Sequence, residues 1–187
     1  MQRRRPCGAS RLAVIDILKN SGFDCAENQV TIGLDNTKIN GRMQLVWDQP
    51  RILVDGAHNP EALGALMKCV GAHVPYDSMV CVFGCCQDKD IDGLLDKVAL
   101  GGDKVIFTKA ANQPRAVEPD ELVRRFAERH NRVCQAEEKL ADALEIAAQA
   151  ASRDDLICIT GSFYLVGEAK RYLGDLRARR KAEMATA

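Results

Sequence analysis

Residues 51–63 read Arg51-Ile52-Leu53-Val54-Asp55-Gly56-Ala57-His58-Asn59-Pro60-Glu61-Ala62-Leu63. The apolar run before Asp55 is typical of a buried strand. Asn59-Pro60 is typical of a helix start, because asparagine caps the first turn and proline lacks an N–H that this position would leave unpaired. The stretch therefore predicts a strand, a tight polar loop and a helix. In an open α/β sheet such a loop lies at the carboxyl end of a strand, where ligands bind.

Short β-branched runs alternate with helical patterns from residue 43 onward, which predicts an α/β fold. We expect a mostly parallel, Rossmann-like sheet of about six strands with helices on both faces. The predicted strands cover residues 43–47, 51–54, 79–83, 104–108, 132–135 and 156–160, and the predicted helices cover residues 60–70, 91–99, 119–130, 137–151 and 163–172. Only residues 48–50 separate the first two strands, too few for a parallel crossover, so the first strand should be antiparallel.

The segment before residue 43 has a different pattern. Leu12, Ile15 and Leu18 recur at helical spacing, Ser21-Gly22 interrupts the pattern, and a weaker helical stretch covers residues 27–34. We therefore expect two parts, a helical segment over residues 1–42 and an α/β domain over residues 43–187.

Composition excludes several classes of protein. The 187 residues are 47% apolar, which suffices for one sizeable core. Lys+Arg and Asp+Glu each total 26, so charge favours neither a nucleic-acid nor an anionic membrane partner. No apolar run approaches the ~20 residues of a membrane span, and no apolar segment of signal-peptide type follows residues 1–6. We expect a cytoplasmic protein without nucleic-acid or membrane partners.

The eight cysteines and the basic tail favour structural roles. No pair of cysteines has the Cys-x-x-Cys spacing of a zinc site, and Cys81 and Cys158 lie in apolar strand runs, where a thiol acts as a small hydrophobe. Adjacent Cys85-Cys86 is the one pair that could serve metal or redox chemistry. The basic run at residues 177–181 is predicted to be a solvated helix end, because no aromatic residue accompanies it in sequence.

The loop after the second strand combines groups that suit an anionic ligand. Gly56 permits an unusual turn, and His58 lies beside a helix N-terminus, whose free N–H groups favour a carboxylate or phosphate. The structural alternative is that Asp55 and Asn59 only satisfy backbone donors while His58 is an exposed loop residue.

Asp55-Gly56-Ala57-His58-Asn59-Pro60 resembles the C-terminal-domain signature of the folylpolyglutamate synthase/dihydrofolate synthase family, within the Mur ligase superfamily. Other segments resemble that family in the same order, over about residues 10–173. They are Gly41-Arg42-Met43-Gln44, with Ile39-Asn40 where the family has Trp-Pro; Phe83-Gly84 with Asp88-Lys89-Asp90; Pro114-Arg115-Ala116 with Pro119; and Thr160-Gly161-Ser162-Phe163-Tyr164.

The resemblance implies an ATP-dependent ligase. With ATP and Mg²⁺ such enzymes phosphorylate a folate or pteroate carboxylate, and L-glutamate then attacks the acyl phosphate. It implies that Arg42 contacts the nucleotide phosphates, that Asp55 binds the nucleotide, and that His58 and Ser162 are catalytic residues lining the glutamate pocket, where His58 orients or deprotonates the amine. Alternatively, Arg42 is a surface arginine and Ser162 a helix N-cap. Lys89 and Arg115 are weaker candidates, and no metal ligand is assigned.

The chain also departs from the family pattern. It has no Gly-rich phosphate loop ending in Gly-Lys-Ser or Gly-Lys-Thr, and the family's His-Gln-x-x-Asn stretch has no clean counterpart in residues 1–10. We therefore interpret residues 1–42 as the remnant of a missing N-terminal ATPase domain that also holds most Mg²⁺ ligands. Alone, the chain is expected to be inactive.

Two other functions remain open at this point. One is a cell-wall Mur-type ligase or cyanophycin synthetase domain, against which Gly56 and Asp88-Lys89-Asp90 argue. The other is a non-catalytic ligand-binding or partner-dependent module, because the same fold can carry unrelated functions.

Overall fold

The computed structural model describes residues 8–37 and 39–186. The chain divides into two compact units, of which one ends at Asn40 and the other begins at Gly41. The first unit contains helices α1 (Gly8–Asn20) and α2 (Glu27–Asn36). The expectations that concern residues 1–7, on a signal peptide and on the His-Gln-x-x-Asn stretch, lie outside the described residues. That this unit is the remnant of an ATPase domain stays a prediction.

The second unit contains one sheet whose six strands all match predicted ones. The strands are β1 (Gln44–Asp48), β2 (Arg51–Asp55), β3 (Met79–Phe83), β4 (Lys104–Phe107), β5 (Val133–Ala136) and β6 (Leu156–Thr160). Their order is β1-β2-β6-β3-β4-β5; β1 is antiparallel to β2, and every other neighbouring pair is parallel. The predicted sheet with an antiparallel first strand is confirmed.

Helices cover both faces of this sheet, as predicted. They are α3 (Pro60–His73), α4 (Ile91–Gly101), α5 (Pro119–Arg129), α6 (Leu140–Ala150) and α7 (Phe163–Thr186). Successive strand residues point to opposite faces, so Leu53 packs in a buried cluster with α3, α4 and α5 residues, whereas Ile52 packs in a second cluster with α6 and α7 residues. Two buried apolar clusters thus hold the helices against the two faces of the sheet.

Helix α7 is longer than the sequence predicted, because the pattern indicated an end near residue 172. The basic tail contacts an aromatic side chain that is distant in sequence. The guanidinium carbon of Arg177 lies 5.1 Å from the centre of the Trp47 ring, and that of Arg180 lies 5.4 Å from it. Arg177 also donates a hydrogen bond to the Val46 carbonyl at 2.8 Å. These cation–π and hydrogen-bond contacts tie the end of α7 to strand β1, so this run is more than a solvated helix end.

The cysteines of the central strands β3 and β6 are core residues. Cys81 and Cys158 are fully buried in β3 and β6, and burial raises the pKa of Cys81 to about 12. Burial likewise raises the pKa of Cys85 to about 12, which disfavours the thiolate that metal or redox chemistry requires. Among the described residues, no group of three or more His, Cys, Asp and Glu side chains could hold a metal ion.

In the described ranges, no helix combines the length and apolar character needed to span a membrane.

Gly161 connects β6 to α7 in a conformation that other residues rarely adopt. Its φ is 104°, and a Cβ built there would lie 2.6 Å from the Gly84 carbonyl oxygen and 2.7 Å from the Phe83 ring. Only glycine therefore fits in the turn after β6, since any side chain at this position would clash with the backbone after β3.

Gly161→Ala should lower the free energy of unfolding by about 2 to 4 kcal/mol, because it adds both backbone strain and a steric clash. Gly167→Ala is the matched control: it lies within α7, where a Cβ meets no atom within 4 Å. That change should stabilise the protein by about 0.5 to 1 kcal/mol. Urea denaturation measures both values, and equal effects would contradict the packing described for Gly161.

Candidate functional site

Three segments meet at the carboxyl ends of β2 and β6. They are the hinge (residues 41–43), the signature loop (residues 55–59) and the closing turn (residues 160–164). Strands β2 and β6 are parallel neighbours, and Asp55 lies opposite Thr160 in their register. The loops that follow both strands therefore open on the same edge of the sheet, where ligands bind in open α/β folds.

Asp55 joins the signature loop to the hinge. Its side chain is only 6% exposed. One carboxylate oxygen, Oδ2, accepts a hydrogen bond from the Met43 N–H at 2.8 Å, and the other, Oδ1, accepts one from the Ala57 N–H at 2.8 Å. A backbone bond from the Gly56 N–H to the Gly41 carbonyl, also 2.8 Å, reinforces the connection. The structural alternative predicted for Asp55 is therefore observed, because its carboxylate accepts hydrogen bonds from backbone N–H groups.

Met43 has a backbone conformation that needs this support. Its φ is 42°, in the left-handed region that a methionine seldom occupies. The hydrogen bond to the buried Asp55 carboxylate compensates part of the cost of that conformation. The same carboxylate therefore fixes the backbone at the point where the chain leaves the hinge and enters β1.

The pKa of Asp55 reflects opposing influences. Burial raises it above the ordinary value of 3.8, while the N–H donors of Met43 and Ala57 and the charge of Arg42 act to lower it. Burial is the largest of these influences. The ionised carboxylate therefore carries a desolvation cost that its hydrogen bonds only partly offset.

His58 is half-buried in the signature loop, and its ring is oriented by the backbone. Its Nδ1 atom lies 2.8 Å from the Gly56 carbonyl oxygen. Because a carbonyl can only accept, we assign the hydrogen to Nδ1, which leaves Nε2 of the neutral ring as a proton acceptor. This tautomer suits a residue that orients or deprotonates an amine.

Two of the site's polar side chains cap helices. Asn59 Oδ1 accepts a hydrogen bond from the Ala62 N–H at 2.8 Å at the start of α3, and Ser162 Oγ accepts one from the Tyr164 N–H at 3.1 Å at the start of α7. The capping alternative for Ser162 is therefore observed. Capping uses a lone pair of Ser162 and leaves its hydroxyl hydrogen available to an anionic ligand, so the two roles are compatible.

Arg42 is exposed and its side chain lies on an aromatic ring. Its guanidinium carbon is 4.7 Å from the centre of the Phe163 ring. In the part of the chain that the structure describes, no carboxylate or carbonyl accepts a hydrogen bond from the guanidinium. A permanent cation with free N–H donors is well suited to bind phosphate oxygens.

Phe163 is a site residue that the sequence analysis did not single out. It is 43% exposed, and its ring lies between the signature loop and Arg42. The His58 ring is 5.9 Å away at an angle of 55°. The available signal was an aromatic residue directly after Ser162, but the sequence alone could not show that it faces Gly56.

Lys89 and Arg115 belong to the loops after β3 and β4. Lys89 Nζ lies 2.9 Å from Asp88 Oδ2, and an Arg115 guanidinium nitrogen lies 3.6 Å from Asp88 Oδ1. The structure thus joins these two candidates to each other through Asp88, whereas Arg42, Asp55 and His58 converge around the hinge and the signature loop.

Comparisons with known proteins agree with this geometry. Residues 41–163 match the family described as Mur ligase, glutamate ligase domain. The dihydrofolate synthase/folylpolyglutamate synthase of Escherichia coli is 27% identical over 174 residues, which are 93% of this chain and 39% of that protein. A diaminopimelate ligase of Coxiella burnetii, which acts on UDP-N-acetylmuramoyl-L-alanyl-D-glutamate, is 31% identical over 130 residues, 66% of this chain and 26% of that protein.

Solved structures of folate-related proteins are also similar to this chain. The folylpolyglutamate synthase of Mycobacterium tuberculosis, complexed with ADP, superposes with a TM-score of 0.79 at 27% identity, covering 87% of this chain and 38% of that one. The chain thus spans about two fifths of the length of these folate-related proteins.

Asp55→Asn should lower the free energy of unfolding by about 1 to 3 kcal/mol at neutral pH, because an amide NH₂ then faces a backbone N–H. Because the pKa of Asp55 is raised in the folded state, the native protein takes up this proton before the unfolded chain does as pH falls. The aspartate contribution to stability therefore increases towards acid, and the difference in unfolding free energy between the two proteins should widen as pH falls from neutral towards the ordinary aspartate pKa of 3.8. Paired urea denaturation measures it; a narrowing difference contradicts this account.

Proposed function

We propose that this chain, which belongs to the Mur ligase family of glutamate ligase domains, is the glutamate-binding domain of an ATP-dependent folate ligase in the cytoplasm. The observation that carries the proposal is that Arg42 and His58 lie at the same edge of the sheet as Asp55. Among the described residues, no group accepts a hydrogen bond from the Arg42 guanidinium and none binds His58 Nε2. Both residues lie in the part of the chain that matches the family. The proposed acceptors are dihydropteroate or folylpolyglutamate, and the proposed amino acid is L-glutamate.

Arg42 is the residue proposed to bind the nucleotide phosphates. Its charge is permanent and its donors are free among the described residues, which supports a contact with phosphate oxygens. The structure of the Mycobacterium tuberculosis relative contains ADP. Bound ATP with Mg²⁺ would supply the phosphoryl group that activates the acceptor carboxylate. Following the family resemblance, we assign most of the Mg²⁺ ligands to an N-terminal ATPase domain.

Asp55 is proposed to support nucleotide binding by holding the hinge. Its two carboxylate oxygens already accept hydrogen bonds from Met43 and Ala57. Through the first of these bonds Asp55 fixes the residue next to Arg42, so this role requires no direct contact between its carboxylate and the nucleotide.

His58 and Ser162 are the residues proposed to act on L-glutamate. The Ser162 hydroxyl hydrogen and the N-terminus of α7 would bind a carboxylate of the amino acid. His58 Nε2 would orient the amine and take its proton as the nitrogen attacks the activated carbonyl carbon. A C–N bond then forms, the bond from that carbon to the phosphate oxygen breaks, and phosphate leaves. Both roles require the loop geometry that Asp55 maintains.

Catalysis is proposed to need a second domain. The sequence has no Gly-rich phosphate loop, and Arg42 alone cannot surround the β- and γ-phosphates. The chain by itself should therefore not ligate.

The runner-up function is a domain of a cell-wall ligase. The Coxiella burnetii relative supports it, since it is as similar over its matched segment as the folate-related proteins are over theirs. The two functions differ in the amino acid that is joined, L-glutamate or diaminopimelate, so competition between these amino acids in a ligation assay decides between them.

Arg42→Gln should weaken ADP binding by about tenfold or more, because a charge-assisted hydrogen bond to phosphate is worth about 1.5 to 3 kcal/mol. Arg153→Gln is the matched control, an exposed arginine that precedes β6 at the opposite edge of the sheet, and it should bind ADP as the unchanged chain does. Isothermal titration calorimetry measures both. Equal affinity in the two variants would remove Arg42 from the nucleotide site.

This chain should ligate L-glutamate only when a second domain is added. That domain is the part of the Escherichia coli relative that lies outside the matched segment. In that mixture His58→Ala should lower kcat by about a hundredfold, as loss of a general base typically does. His73→Ala, an exposed histidine at the end of α3, should leave kcat unchanged. Formation of the glutamyl product, followed by chromatography, is the readout, and turnover by the purified chain alone would refute the need for a second domain.

A further inference from the structure

We propose that Phe163 is a positioning residue: its ring holds the Arg42 guanidinium beside the signature loop with the N–H donors free for an anion. The inference rests on the proposed function in one respect, the assignment of Arg42 to the nucleotide phosphates. Phe163 itself is not proposed to touch the reacting atoms.

The backbone of the signature loop fixes the Phe163 ring. A Cβ at Gly56 would overlap the ring, so the ring packs directly on this glycine. A Cβ at Gly41, in the hinge, would lie 3.3 Å from the same ring. Phe163 is also the first residue of α7, directly after the capping Ser162. Glycines on two segments and a capped helix start thus leave the ring little freedom.

The contact between the ring and Arg42 determines what the guanidinium can bind. At 4.7 Å from the ring centre it gains a cation–π attraction. We propose that the guanidinium uses one face for this contact, which keeps the N–H donors in its plane available among the described residues. A neighbouring carboxylate offers a competing arrangement, since the charge of Arg42 is one of the influences that oppose the burial-raised pKa of Asp55. Without the ring, Arg42 would be free to pair with Asp55 and would present fewer donors to a ligand.

Phe163 also contacts the other half of the site. The His58 ring lies 5.9 Å from it at 55°, and its 43% exposure leaves part of the ring open to solvent. The Phe163 ring therefore lies beside both the arginine proposed to bind phosphate and the histidine proposed to face the amine. A leucine or methionine would fill similar space on Gly56 but lacks the quadrupole that attracts a cation.

The test compares aromatic and aliphatic side chains at this position. Phe163→Leu and Phe163→Met remove the cation–π contact, and Phe163→Tyr keeps it. Phe23→Leu is the matched control, at a phenylalanine that is 62% exposed and belongs to none of the three site segments. Nuclear magnetic resonance of the Arg42 Nε–H group reports its contact with the ring without any ligand. Calorimetric titration with ADP reports its use.

We expect Phe163→Leu and Phe163→Met to move the Arg42 Nε–H signal to the position of an exposed arginine and to weaken ADP binding by about two- to fivefold. Phe163→Tyr and Phe23→Leu should change neither readout. Gly56→Ala, which displaces the ring from the opposite side, should move the Arg42 signal in the same direction.

Two results would overturn the inference. One is an Arg42 signal that does not move in either aliphatic variant; the other is an equal loss of ADP affinity in Phe163→Tyr and Phe163→Leu. Failure of the proposed function would give a different result. The unchanged chain would not bind ADP, but the Arg42 signal would still move in the aliphatic variants. That movement would support the positioning role.

Discussion

The hydrogen bonds accepted by the buried Asp55 carboxylate are the interaction on which the rest of the site depends. One oxygen holds the Met43 N–H in the hinge and the other holds the Ala57 N–H in the signature loop. A single side chain thereby sets two backbone segments that are twelve or more residues apart. It also supports the left-handed conformation of Met43. Removing either donor would leave a buried charge short of partners, which is costly in a low-dielectric interior.

Strand topology explains why the hinge is available to Asp55 at all. Because β1 runs antiparallel to β2 and Gln44 pairs with Val54, the segment that enters β1 lies at the edge where β2 ends. Because β6 runs parallel to β2, its following turn opens on that same edge and delivers Ser162 and Phe163. The antiparallel β1–β2 pair and the parallel β2–β6 pair together bring Arg42, His58 and Phe163 to one edge from three separate parts of the chain.

The sequence alone predicted the fold well, because hydrophobic periodicity and helix-start signals are local. Asn59-Pro60 located the start of α3, and the short 48–50 connection identified the antiparallel strand. Features that depend on distant residues were not predictable. The end of α7 is stabilised by Trp47, and the position of Phe163 depends on Gly56. The roles of Arg42, Asp55, His58 and Ser162 came from the family resemblance, and the geometry is compatible with them, but they remain predictions.

We propose that nucleotide and L-glutamate bind where the hinge, the signature loop and the closing turn meet. Backbone amide signals of the ¹⁵N-labelled chain can be followed by nuclear magnetic resonance during titration with Mg²⁺-ADP and then L-glutamate. We expect the largest shifts in residues 41–43 for the nucleotide and in residues 56–58 and 162–164 for the amino acid. Shifts concentrated in the loop at residues 109–118, or no shifts at saturating ligand, would rule out this binding site.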